Sequence, residues 1–115
     1  MGRGLDVEER EVLLDRLAGL LDQARVQCRT MTYLEVADAL AVSPPLRIHK
    51  TSRLVEILLK RDAEAGRPLR SALVTSRARP GRPAEGFFDR ARRLGLFDGE
   101  DPDRFHDALL DELFG

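Results

Sequence analysis

The side chains in this chain with chemistry to offer are mostly cationic. Lys50, Arg53 and Lys60 recur at helical spacing, Arg77, Arg79 and Arg82 crowd a segment that also holds Pro80, Gly81 and Pro83, and Arg70 stands between the two groups. Cations on one helix face suit phosphates and base edges, since Lys and Arg donate to both. The same face is equally served by Glu56 and Glu64, in surface pairs worth about 0–1 kcal/mol that need no function. The second group differs. Three arginines in six residues without an acid have no local partner, and an exposed loop of that kind can neutralise phosphates or enter a narrow minor groove.

Other chemistries lack their parts. Cys28 is the single cysteine, so it forms no internal disulfide, and His49 and His106 are too far apart in sequence for a Cys/His zinc spacing. His49 is expected to border a helix, and His106 to lie on the exposed side of another. Ser43, Ser52, Ser71 and Ser76 have no nucleophile motif around them. Glu100, Asp101 and Asp103 lack the twelve-residue calcium-loop pattern and are better placed to complement a helix dipole. There is no phosphate-binding glycine loop and no dinucleotide fingerprint. The expectation is a protein that is not an enzyme and has no cofactor and no metal.

Charge is segregated along the chain. Residues 1–45 balance to −3, residues 46–93 to +8 and residues 94–115 to −6, for a net charge of −1. A basic middle between acidic ends suggests one positive face, unless the ends fold over it. With 115 residues, 43% hydrophobic and 34% charged, the chain has material for one core and too much for disorder. No run approaches the ~18 apolar residues of a membrane span, and no apolar stretch follows a basic start. A cytoplasmic protein without membrane association is expected.

These residues need elements to position them. Leu13, Leu17, Leu20, Leu21 and Ala24 have helical spacing, and Asp6 with Glu9 has that of a capping box, so a first helix spans 6–28. Thr32-Tyr33-Leu34-Glu35 opens a second helix by a Ser/Thr-x-x-Glu box, and Ser43-Pro44-Pro45 is expected to stop it. A third helix covers 46–64, its apolar side made by Ile48, Leu54, Val55, Leu58 and Leu59. Lys50, Arg53 and Lys60 lie opposite, and Ile57 falls oddly on that outer side. Gly66 and Pro68 end it. Residues 69–77 favour a strand, which must pair to satisfy its backbone. Residues 29–31 are the expected partner, with 84–86 as a possible addition. Residues 77–83 form a loop. Phe87 to Leu94 reads as a short helix closed by Gly95, with Leu96 placed for the usual contact after a C-terminal glycine. Asp101-Pro102 starts an amphipathic tail helix with Phe105, Leu109, Leu110, Leu113 and Phe114. Phe87, Phe88, Phe105 and Phe114 supply core volume more readily than a partner surface.

That order predicts a mainly α fold with a small β-sheet: one winged helix-turn-helix domain over 1–115, with an extra C-terminal amphipathic helix. Residues 32–66 are the helix-turn-helix, 69–86 the strand and wing, and 87–115 the C-terminal helices. In such folds the second helix of the pair enters the major groove and the wing touches the backbone. Thr32-Tyr33-Leu34-Glu35-Val36-Ala37-Asp38-Ala39-Leu40 resembles a helix of the DNA-binding domain of O6-alkylguanine-DNA alkyltransferases and alkyltransferase-like proteins. Ser52-Arg53-Leu54-Val55 is similar to that family's recognition-helix motif. The resemblance implies base-extruding places for Tyr33 and Arg53, and a phosphate contact for Tyr33. Residue type alone favours a half-buried Tyr33 ring with its hydroxyl in water. Pro68-Leu69-Arg70-Ser71 falls where the family carries Pro-Cys-His-Arg, so the alkyl-accepting cysteine is Leu69 here and transfer is not implied. Residues 67–95 also look similar to uncharacterised bacterial winged-helix domains.

The function expected is non-enzymatic binding of nucleic acid, duplex DNA first, through the 46–64 helix and the 77–83 loop. Tyr33, Lys50, Arg53, Lys60, Arg70, Arg77, Arg79 and Arg82 are its contact residues. The alternative is a protein-interaction winged helix, meeting a partner chain or a second copy through Ile57 or the C-terminal helix. A fold does not choose between them.

Overall fold

The acids at the start of the chain and the leucines that follow build α1, Val7–Val26, whose N-cap Asp6 accepts from the Glu9 amide at 2.8 Å. The computed structural model describes residues 6–115. Leu14, Leu17, Leu21 and Ala24 are the buried stripe of α1, while Leu13 and Leu20 flank it half-buried.

A two-residue strand, β1 (Met31–Thr32), leads into α2 (Tyr33–Ala39). Both halves of the expected capping box form: Thr32 Oγ1 accepts from the Glu35 amide at 3.1 Å, and Glu35 Oε1 accepts from the Thr32 amide at 2.8 Å. The helix ends before the prolines. Leu40 is its C-cap, Ala41 turns left-handed at φ 53°, and the Val42 amide returns to the Ala37 carbonyl at 3.0 Å. This closure satisfies the last carbonyls and sets the end at Leu40, four residues before Pro44.

α3 (Arg47–Glu64) follows and is closed by Gly66 at φ 69°. Leu54, Val55, Leu58 and Leu59 face the core as expected, together with Thr51 and Asp62. Two expectations for this helix fail. Ile48, assigned to the apolar side, is 44% exposed, because it lies in the first turn, outside the run of buried positions. Ile57, assigned to the outside, is half-buried against the core, where α4 (Glu85–Arg93) lies alongside α3.

The strand expected at 69–77 is mostly something else. Arg70–Leu73 is a turn of 3-10 helix, and only Val74–Thr75 (β2) is extended. β2 pairs in parallel with β1, Met31 opposite Val74 and Thr32 opposite Thr75. The partner thus comes from the expected neighbourhood, one residue further on. Parallel pairing needs a crossover, and α2 and α3 are that crossover. Residues 84–86 add no strand, since Glu85 opens α4. The 77–83 segment is therefore a loop without a strand on its far side, drawn shut by the Ser76 amide donating to the Arg82 carbonyl at 2.7 Å.

α4 contributes Phe87 and Phe88, and α5 (Pro102–Phe114) begins at Asp101, whose side chain accepts from the Arg104 amide. Gly95 closes α4 at φ 77°, but Leu96 remains 36% exposed. The five aromatic contacts join Phe87, Phe88, Phe97 and Phe105, with Phe97 stacked on Phe105 at 4.6 Å. The apolar residues of α5, Phe105, Leu109, Leu110 and Phe114, pack partly buried on the chain's own core, and Leu113 is fully inside it. They are thereby committed to this fold first. The result is a mainly helical protein with a two-stranded parallel sheet among the described residues.

Candidate nucleic-acid interface

The N-terminal end of α3 is anchored by cations that are spent locally. Arg47 donates through Nε to the Val42 carbonyl at 2.7 Å and pairs with Asp38 of α2 at 2.9 Å. Lys50 Nζ donates to the Ser43 carbonyl at 3.0 Å. Together they hold the α2–α3 connection against the first turns of α3. On the inner side, the buried Thr51 hydroxyl donates to the Arg47 carbonyl at 2.8 Å, and Ser71 Oγ donates to the Val55 carbonyl at 2.9 Å. α3 is therefore a rigidly seated helix with its outer face turned away from the core.

That outer face presents His49, Arg53 and Lys60, all exposed. Neither Arg53 nor Lys60 has an ion-pair partner among the described residues. The alternative pairing with Glu56 and Glu64 does not form among the described residues. Seven residues of helix put Arg53 and Lys60 about 10 Å apart along the axis. The neighbouring Arg61 is occupied, gripping Glu11 of α1 with two hydrogen bonds of 2.9 and 2.7 Å. That bond raises the Arg61 pKa and lowers that of Glu11.

The structure divides the other sequence-predicted contacts. Arg77 is exposed and makes no ion pair among the described residues. Arg79 and Arg82 do find acids, although none is near in sequence. Arg79 Nη2 lies 3.3 Å from Asp103 Oδ1, and Arg82 Nη1 lies 2.8 Å from Asp107 Oδ1 and 3.0 Å from the Asp103 carbonyl. The acidic start of α5 pairs with Arg79 and Arg82 of the basic loop and forms no ion pair with α3 among the described residues.

Arg70 and Tyr33 are corrections. Arg70 is 9% exposed and is fixed by Asp62, itself 1% exposed, through Nη2–Oδ1 at 2.7 Å and Nε–Oδ2 at 3.1 Å. Asp22 of α1 adds contacts at 3.2 and 3.3 Å. The hydrogen bonds that Arg70 donates to Asp62, foremost, raise the guanidinium pKa. It ties α1, α3 and the 3-10 turn together and offers nothing to a phosphate. Tyr33 is 6% exposed, with its hydroxyl accepting from the Ala84 amide at 3.3 Å. Burial pushes its pKa up. The ring is a core element, so the contact implied for it by resemblance has no surface to act on.

His106 is the third correction. It was expected outside, and it is 0% exposed, with Nε2 2.8 Å from the Ala72 carbonyl and Nδ1 3.1 Å from Arg82 Nη1. Sequence reasoning missed His106, Asp62, Asp103 and Asp107. The signals were present. Asp62 continues the Val55, Leu58, Leu59 series at helical spacing, and Asp103, His106 and Asp107 share one face of α5 at three- and four-residue spacing.

No group of His, Cys, Asp and Glu side chains among the described residues is placed to hold a metal, and no described helix is long and apolar enough to cross a membrane. Comparison of the chain with protein-family models, curated proteins and solved structures finds no match.

Proposed function

We propose that this protein is a non-enzymatic nucleic-acid-binding module in which α2 and α3 act as a helix-turn-helix pair within a winged-helix-like arrangement, with duplex DNA as the first ligand. The observation that carries the reading is Arg53 and Lys60 on the outer face of α3, exposed and without an ion pair among the described residues. Their separation of about 10 Å spans roughly three base pairs of rise. His49 lies on the same face, one turn before Arg53. In the loop, Arg77 makes no ion pair among the described residues. Arg79 and Arg82 would join the interface only on leaving Asp103 and Asp107.

This narrows the electrostatic footprint to two or three phosphate contacts. With a slope of about −0.9 per contact, affinity should fall about 10- to 40-fold between 50 and 200 mM salt. Fluorescence anisotropy with labelled duplexes and single strands at low salt tests it. Arg53→Glu should abolish binding while leaving the circular dichroism spectrum intact. Binding that is insensitive to salt, or equal in Arg53→Glu and the unmodified chain, removes the reading. Of the two surfaces of the protein-interaction alternative, Ile57 is half-buried against the core, which leaves the C-terminal helix to carry that reading.

A further inference from the structure

His106 lies where three segments meet: α5, which carries it, the Arg70–Leu73 turn and the 76–82 loop. A carbonyl oxygen only accepts and a guanidinium only donates. Placed between the Ala72 carbonyl and Arg82 Nη1, the ring must carry its proton on Nε2 and accept through Nδ1. Neutral His106 therefore completes a chain of bonds from the turn, through the ring, to the loop. The same Arg82 nitrogen reaches Asp107, and Arg79 reaches Asp103.

A proton added to Nδ1 would set donor against donor and place two positive charges 3.1 Å apart. The charged groups that face the ring are Arg82 from the loop and Asp103 and Asp107 from its own helix. The turn presents only a backbone carbonyl, its Arg70 being directed to Asp62 and Asp22. The carboxylates favour the proton, but their side chains are 56% and 62% exposed and thus screened by water. Burial, first, and Arg82 hold the ring below the usual histidine range despite the Ala72 bond and the two acids.

We propose that His106 is a pH-operated latch: neutral, it clamps the first turns of α5 onto the 76–82 loop and keeps Arg79 and Arg82 occupied, and protonated, it releases them to an anionic ligand of the phosphate class. The acids of α5 then act as an internal substitute for that ligand. The latch stands on the contacts of α5 with the loop and holds whether or not α3 binds nucleic acid.

Backbone amide exchange of the whole chain at about pH 7.5 and pH 5, corrected for intrinsic rates, tests it. Between the ordinary histidine value of 6.5 and the lower value in the folded state, each pH unit favours the open form about tenfold. Protection of the first turns of α5 should therefore drop at pH 5, by about tenfold for each pH unit that separates the two values. His106→Gln offers an amide donor and acceptor that do not titrate, and its protection should not change between the two conditions. Equal loss in both proteins, or no loss in the unmodified chain, overturns the latch. A nuclear magnetic resonance titration of the unmodified chain guards against a poorly fitting glutamine. The His106 ring and the Arg79, Arg82, Asp103 and Asp107 amides should shift with one midpoint below 6.5. A midpoint at or above that value, or loop amides that do not respond, overturns it equally.

Discussion

Replacing Asp62 with alanine strips the Arg70 guanidinium of its closest partner without giving it water. Asp62 accepts three hydrogen bonds from this one residue, from Nη2 at 2.7 Å, Nε at 3.1 Å and the backbone amide at 3.2 Å. The last of these also anchors the start of the 3-10 turn. Asp22 remains, but its side chain is 57% exposed, and a pair on that side is worth about 0–1 kcal/mol. Removing one member of a buried pair costs about 3–5 kcal/mol, because the other charge stays buried and uncompensated. Asp62→Ala should lose that amount, and Asp22→Ala no more than about 1 kcal/mol. Adding Arg70→Met to Asp62→Ala removes the stranded charge and should recover part of the loss. Urea denaturation followed by circular dichroism measures all of these, the midpoint moving while the slope stays constant. Asp62→Ala costing less than about 1 kcal/mol, a value typical of an exposed pair, would refute the account. So would a double variant less stable than Asp62→Ala. Arg70→Met should also leave nucleic-acid affinity unchanged once the protein is folded.

Other perturbations have equally definite outcomes. Thr32→Ala breaks a capping box that forms in full and should cost about 1 kcal/mol in the same denaturation assay. Phe87→Ala empties a side chain that is 2% exposed and in contact with Phe88 and Phe105, for a loss of about 3–5 kcal/mol. Ala41→Gly should raise the denaturation midpoint, since Ala41 holds φ 53° and the left-handed region costs a residue with a Cβ about 1–2 kcal/mol. Stability should fall as pH drops below 6.5, because His106 has a lowered folded pKa and the unfolded chain takes up its proton first. His106→Gln should flatten that part of a melting-temperature profile.

Much of the fold was legible in the sequence. Each of the five α-helices among the described residues announced itself through periodicity and end signals, which act within a few residues: Asp6, the Thr32–Glu35 box, Gly66, Gly95 and Asp101-Pro102. The pairing of the short strand with the segment before α2 followed from the need to satisfy backbone groups. Its direction did not, and neither did its length, since a 3-10 turn meets the same need over Arg70–Leu73 without a neighbour.

The candidate site was legible at Arg53 and Lys60 of α3 and at Arg77 of the loop, and not at Lys50, which is spent on the Ser43 carbonyl. Arg53 and Lys60 are set outward by helix geometry alone, so their spacing sufficed. For the remaining charges, residue type and spacing say nothing about what comes near from elsewhere in the chain. Arg70 met Asp62 across eight positions and Asp22 across 48, and Arg82 met Asp107 across 25. Those distances in sequence close only when α1, α3 and α5 pack. The amino-acid sequence by itself determined that the middle of this protein is basic and its ends acidic. Tertiary structure decided which of those cations are consumed by the ends and which still face outward, because electrostatic pairing depends on proximity in space and burial on the packing around it.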